Sequence, residues 1–433
     1  MNRNIEKKLV KWKNYTRRKP LILRGARQVG KTWIVKKFGS DNFENIVVLD
    51  LEKNKKAHAF FKDVLDPVTI LQDIEIFLKT KVVPGKTLLF FDEIQSCPEA
   101  IISMRYFYEE MPELHLIAAG SLLEFTLSKV SFPVGRVQHM SMYPMTFSEF
   151  LEATDNSTAH EIVNSSPQKL PETIHNSILS ELKKYFFTGG MPESVKAYTN
   201  TGSLVDSFNV HSEIIISYKN DFVKYAANSS HECLEEVFTS TARNVGNQIQ
   251  YSNLSNHFTN PTIKKAFDLL LKARVISKID SVGQLRFPLD IQTSSRKFKT
   301  NMLDIGLWQN LSGVTPEIQM AEPELMNIYR GALAEQFVGQ ELSASTEKSL
   351  IYWARQARSS NAEVDYVVSI GEKIYPIEVK SGSSGSLRSL HLAIETFPEC
   401  ENGIVFSTRE YSELPEQKLQ FIPLYYVGSL FCG

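Results

Sequence analysis

Three groups of residues have the types and spacing to do chemistry. The first is Gly25-Ala26-Arg27-Gln28-Val29-Gly30-Lys31-Thr32, which fits the phosphate-binding pattern G-x-x-x-x-G-K-[ST]. Leu21-Ile22-Leu23 before it reads as a short buried strand. Trp33, Ile34, Val35 and Phe38 after it fall at helical spacing, with Gly39 as a stop. Backbone N–H groups of such a turn and of the following helix N-terminus can surround phosphates. Lys31 would reach the β- and γ-phosphates, and the Thr32 hydroxyl would ligate Mg²⁺. Arg27, within the loop, is placed to meet phosphate or a neighbouring carboxylate.

The second group is Thr87-Leu88-Leu89-Phe90-Phe91-Asp92-Glu93, an apolar run ending in two acids. Asp92 would hold the Mg²⁺, and Glu93 would orient and polarise an attacking water. That second carboxylate suits a hydrolase and is seldom needed by a small-molecule kinase. Leu114 to Ala119 is a further apolar strand ending in Gly120-Ser121, which makes Ser121 a candidate sensor of the γ-phosphate or the water. Arg136 is a candidate for stabilising transition-state charge; acting in trans, it would require neighbouring subunits.

The third group lies near the C-terminus. Asp365 and Glu378, on two strand-like runs, could hold a divalent metal through hard oxygens, with Lys380 stabilising developing charge beside them. Charged outer faces on two amphipathic strands would give the same spacing.

Apolar periodicity supplies the elements that must position these groups. Strands at 21–23, 45–50, 87–92 and 114–119 alternate with helical stretches, which predicts an open, largely parallel α/β sheet with ligands at the strands' carboxyl ends. Ile5, Leu9 and Trp12 predict an amphipathic helix packed on that core. A Ser/Thr/Asn/Pro-rich loop follows over 155–171, and Gly189-Gly190-Met191-Pro192 predicts a tight turn into a helix that could hinge a lid. Helix, turn and helix precede strands at 275–279 and 284–287 around Gly283, the order of a winged helix. Thr262, Lys264, Lys265 and Asp268 would be the outward positions of its second helix. The expected organisation is a P-loop domain over 1–150, a helical lid or linker over 151–230, a winged-helix-like segment over 231–290 and an α/β domain over 291–433.

Composition narrows the classes. With 48 Lys+Arg against 49 Asp+Glu, the formal charge of −1 gives no global attraction to nucleic acid, so such binding would need a local patch. No apolar run approaches a membrane span, and the basic N-terminus has no signal-like apolar segment. Four scattered cysteines suggest neither zinc nor a disulfide framework and suit the cytoplasm.

Taken together, these residues resemble a bacterial or archaeal family of AAA-type ATPases that join a P-loop domain to a C-terminal domain of the PD-(D/E)XK nuclease superfamily. The resemblance rests on the P-loop octapeptide, Phe91-Asp92-Glu93-Ile94-Gln95, Gly120-Ser121, Gly135-Arg136, Gly189-Gly190-Met191-Pro192, Glu363-Val364-Asp365 and Ile377-Glu378-Val379-Lys380. It implies Lys31 and Thr32 on phosphate and Mg²⁺, Asp92 as the metal carboxylate and Glu93 as the catalytic glutamate. Ser121 stands where many AAA-type proteins have Asn. In the C-terminal domain it implies Asp365 and Glu378 as metal ligands with Lys380 beside them, helped by Glu335 on the preceding helix. Domains of that fold are often repurposed for binding. Two functions are consistent with the whole: a Mg²⁺-dependent ATPase coupling nucleotide state to a nuclease-like domain acting on DNA, or an ATP-dependent switch or scaffold whose inactive nuclease-like domain binds a protein partner.

Overall fold

The structure, a computed structural model, describes residues 1–62, 65–121, 123–127, 135–225, 230–289, 293–315, 325–355, 362–380 and 386–431. The chain divides into two compact units, Asn2–Tyr143 and Pro144–Gly433.

In the first unit, β1 (Leu21–Arg24) leads through the P-loop into α2 (Lys31–Asn42). Then come β2 (Asn45–Asp50), α3 (Pro67–Leu78), β3 (Thr87–Asp92), α4 (Pro98–Glu110), β4 (His115–Ala119), α5 (Leu123–Leu127) and β5 (Gln138–Ser141). The five strands form one parallel sheet in the order β2-β3-β4-β1-β5. Every residue of β3 and β4 is buried, as continuous apolar runs in a sheet covered on both faces require. Asp66 caps α3 by accepting from Thr69 N at 2.8 Å, and Pro67 takes the first helical position. The N-terminal helix α1 (Ile5–Asn14) buries Ile5, Leu9 and Trp12 as its spacing predicts. The parallel α/β sheet expected from the alternation of elements is present.

The second unit begins with helices α6 (Phe147–Ala153), α7 (Ser157–Val163), α8 (Glu172–Thr188), α9 (Pro192–Thr201), α10 (Leu204–Tyr225), α11 (His231–Arg243) and α12 (Asn260–Ala273). Strands β6 (Ile276–Val282) and β7 (Thr293–Met302) precede helices α13 (Ile305–Leu311) and α14 (Leu325–Thr346). The chain continues as β8 (Ile351–Ala354), β9 (Glu363–Ile370), β10 (Lys373–Val379), α15 (Arg388–Thr396), β11 (Gly403–Ser407), β12 (Ser412–Leu414), β13 (Leu419–Pro423) and α16 (Val427–Leu430). All eight strands form one mixed sheet, β12-β13-β11-β10-β9-β8-β6-β7. Within it β8, β9 and β10 are antiparallel neighbours, and β10 runs parallel to β11.

This arrangement corrects three expectations. The partner strand of the hairpin is β7, not 284–287, and both strands belong to the large sheet, so the boundary expected at 290 falls between paired strands. Helices expected as a lid or linker over 151–230 belong to the second unit: Gln309 Nε2 donates to the Phe186 carbonyl at 2.7 Å, and Gln340 Nε2 to the Tyr185 hydroxyl at 2.8 Å. The Gly-Gly turn expected as a hinge is closely packed. Gly190 N donates to Asp304 Oδ2 at 2.6 Å, its carbonyl accepts from Met145 N at 2.7 Å, and a side chain at Gly189 or Gly190 would overlap Asp304 or Met145.

Candidate functional site

The sheet order puts β4 between β1 and β3, so the carboxyl ends of all three strands share one edge. Gly25, Ser121 and Asp92 meet there. Gly25 has no room for a side chain beside the Met142 carbonyl, and Gly30 caps α2 at φ +95°, a conformation that favours glycine. Arg3, just ahead of α1, braces the loop by donating to the Val29 carbonyl at 3.1 Å and to the Tyr143 carbonyl at 2.7 Å.

Lys31 is buried, its ammonium donating to the carbonyls of Gly25 at 2.9 Å and Ala26 at 2.7 Å, within the loop that would surround phosphate. The Thr32 hydroxyl donates to Asp92 Oδ1 at 3.1 Å, which brings together the two oxygens expected on Mg²⁺. Burial is the main force raising the Asp92 carboxyl above its ordinary value; the Thr32 bond opposes it, and the Glu93 and Asp50 charges add to it. No lysine or arginine among the described residues pairs with Asp92. A buried carboxylate beside a hydroxyl, without a protein cation, fits a hard divalent ion.

Glu93 is held at φ +49°, a left-handed conformation costly for a side-chain-bearing residue, on the order of 1–3 kcal/mol. Gln95 donates to Glu93 Oε2 at 2.6 Å, and its amide oxygen fills the space where a side chain at Gly120 would stand. Gln95 thereby packs between the glutamate and the turn carrying Ser121. Sequence reasoning gave Gln95 no role; only the absence of a side chain at Gly120 hinted at it. Ser121 is half-buried at the same edge, and Arg27 and Gln28 are exposed on the loop. Arg136 lies elsewhere. It lies two residues before β5 and pairs with Glu109 at the end of α4 at 2.7 Å, at the amino ends of the strands and opposite the P-loop.

In the second unit the strands bring Asp365, Glu378, Lys380 and Glu335 together. Glu363 and Asp365 share one face of β9 by alternation. Asp365 Oδ2 accepts from Val379 N at 2.9 Å, and Lys380 Nζ donates to Glu378 Oε1 at 2.6 Å. The unexpected member is Lys299 on β7. Its ammonium contacts Glu335 Oε1 at 2.8 Å, Asp365 Oδ1 at 3.0 Å and Glu363 Oε1. Burial works against that ammonium, yet the Asp365, Glu335 and Glu363 charges outweigh it and hold its pKa well above the ordinary range. Burial and the Asp365 charge push the Glu335 and Glu378 carboxyls upward. Among the described residues, no group of three or more His, Cys, Asp or Glu is arranged to hold a metal ion. The residues expected as ligands do not fit one here: three of the four carboxylates converge on a lysine.

The proposed recognition helix exposes Lys264 and Lys265, with Thr262 and Asp268 half-buried. No helix among the described residues is long and apolar enough to cross a membrane.

The family model of an AAA domain matches residues 17–151, the β1–β5 sheet with its P-loop. The first unit is an AAA-type, nucleotide-binding P-loop domain. Two further models match, both described as domains of unknown function: DUF8612 over residues 179–318 and DUF4143 over residues 330–427. The chain is 22% identical to an uncharacterized protein of Methanocaldococcus jannaschii over 409 residues, 89% of this chain and 80% of that protein. Similar solved structures include a Walker-type ATPase of Pyrococcus abyssi, 16% identical with a TM-score of 0.46, over 72% of this chain and 95% of that one. A RuvB variant of Thermotoga maritima is 16% identical with a TM-score of 0.31, over 66% of this chain and 89% of its own.

Proposed function

We propose that the protein binds ATP at the P-loop with Mg²⁺ and hydrolyses it, and that nucleotide state acts on the second unit. The observation that carries this reading is the meeting of Thr32 with a buried Asp92 that no cation among the described residues neutralises. Thr32 and Asp92 would hold Mg²⁺, whose charge offsets that of the phosphates. Lys31 would exchange its loop carbonyls for phosphate oxygens, and the loop amides would surround the anion. Glu93, oriented by Gln95, would hold and polarise the attacking water, with Ser121 close to the same edge.

The second unit resembles the PD-(D/E)XK fold in element order: α14, three antiparallel strands, α15, then a strand parallel to the third. Asp365 on β9 and Glu378-Val379-Lys380 at the end of β10 would be its acidic and lysine positions. This likeness supports coupling to DNA. The Lys299 contacts favour the other reading, in which ATP turnover drives a switch or scaffold whose second unit binds a protein partner without cutting DNA. Arg136 could serve only a neighbouring copy's site, which would make oligomerisation part of the cycle.

Turnover assays with and without DNA test these readings. Lys31→Ala and Glu93→Gln are expected to abolish hydrolysis, with ATP binding retained in Glu93→Gln. Undiminished hydrolysis in both would overturn the ATPase assignment. Stimulation by DNA that weakens with salt would support the DNA reading. Turnover indifferent to DNA would support the switch.

A further inference from the structure

We infer that Lys299 is the resident cation of the carboxylate centre in the second unit, standing where the nuclease-like arrangement would place a divalent metal. Its side chain is 2% exposed and lies against acids from two elements: Glu335 on α14, and Glu363 and Asp365 on β9. The Tyr352 ring, its centroid 5.5 Å from the ammonium, adds a cation–π contact. The second oxygens of two of these acids are already engaged. Asp365 Oδ2 accepts from Val379 N, and Glu363 Oε2 accepts from Gln248 Nε2 at 2.5 Å.

Position, not net charge, carries the conclusion further. Glu335, Glu363, Asp365 and Glu378 against Lys299 and Lys380 leave two formal negative charges when all are ionised. A divalent ion entering beside Lys299 would meet an ammonium at about 3 Å from the oxygens it needs, a like-charge approach in a poorly solvated interior. Glu378 Oε2, buried without a partner among the described residues, is one oxygen and not a coordination sphere. The centre is thus closed by an internal cation. The second unit folds around that charge without metal, and any nucleic acid it meets is bound and not cleaved through this cluster. This inference does not depend on ATP turnover.

The test uses the full chain, free of nucleotide, in an Asp92→Asn background that removes the P-loop's metal carboxylate. Mn²⁺ is titrated, and free Mn²⁺ is read by its electron paramagnetic resonance signal. With Lys299 present, no stoichiometric uptake is expected; Lys299→Met should then take up one Mn²⁺ per chain. Uptake of one Mn²⁺ per chain with Lys299 in place, lost on adding Asp365→Asn, would overturn the inference. A folded Lys299→Met protein that gains no Mn²⁺ would overturn it too, because the ammonium would not be what keeps the ion out. The titration with Lys299 present decides the matter even where Lys299→Met fails to fold.

Discussion

Two buried lysines, one in each unit, show how similar chemistry serves opposite ends. Lys31 donates to neutral backbone carbonyls, and the buried acid nearby, Asp92, has a hydroxyl for company but no cation among the described residues. Lys299 is clasped by three carboxylates, and the ExK-type acid Glu378 is paired with Lys380. A carbonyl is a partner that a lysine can exchange for phosphate at modest cost. Three charged oxygens in a dry interior are not, because removing one ion strands the others. The first arrangement leaves positions for ligands; the second fills them.

The largest effect that would break this comparison is at Lys299. Lys299→Met should destabilise the second unit by about 3–5 kcal/mol, the usual cost of leaving buried charges unpaired, while nucleotide binding by the first unit stays intact. Restoring stability by adding Glu335→Gln and Asp365→Asn would confirm that charge, not packing, is at stake; urea denaturation measures both. Next, Lys31→Ala should lower ATP turnover at least ~10²-fold, as loss of a preorganised phosphate contact does, with the unfolding midpoint nearly unchanged. Gly190→Ala should cost about 1–3 kcal/mol through overlap with Met145, the range for forcing extra volume into a packed interior.

A subtler test is pH. Glu341 accepts from Phe147 N at 2.9 Å, and burial pushes its carboxyl up to about 8 from an ordinary 4.5. The folded state therefore holds a proton that the unfolded state has released, so stability falls as pH rises from 4.5 through about 8. His211, pushed down by burial to about 3, acts in the opposite sense but is spent by pH 6.5. Between pH 6.5 and 8 the second unit should thus lose stability, with a limiting slope of about 1.4 kcal/mol per pH unit for each such proton. Glu341→Gln, which keeps an acceptor for Phe147, should remove its share of that slope in thermal scans, the raised Glu335 and Glu378 carboxyls supplying the remainder. The smallest effect is expected from Arg136→Ala: unchanged turnover in dilute protein, where no neighbouring copy is present. A loss under those conditions would contradict its location on the far edge.

Amino-acid order alone determined what is local in the chain. The P-loop needs a strand, eight residues and a helix in direct succession, and its glycines mark backbone that side chains disfavour. Asp92-Glu93 follows its own apolar strand, and alternation put Glu363 and Asp365 on one face of β9. Those features survive as read. Tertiary structure alone decided the partners. Lys299 is 66 residues from Asp365 and sits in a strand with no motif of its own; nothing in its neighbours marks it as a cation for distant acids. Gln95 acquires a role only because Gly120, in the turn after β4, leaves room for it. Arg136 has the residue type of a charge stabiliser, but the direction of β5 carries it to the wrong edge. The second strand of the hairpin was misplaced because β7 is specified by pairing with β6 inside a large sheet, which local turn signals do not record. Short-range periodicity fixes element type and face, whereas a buried charge is positioned by whichever elements the fold packs around it.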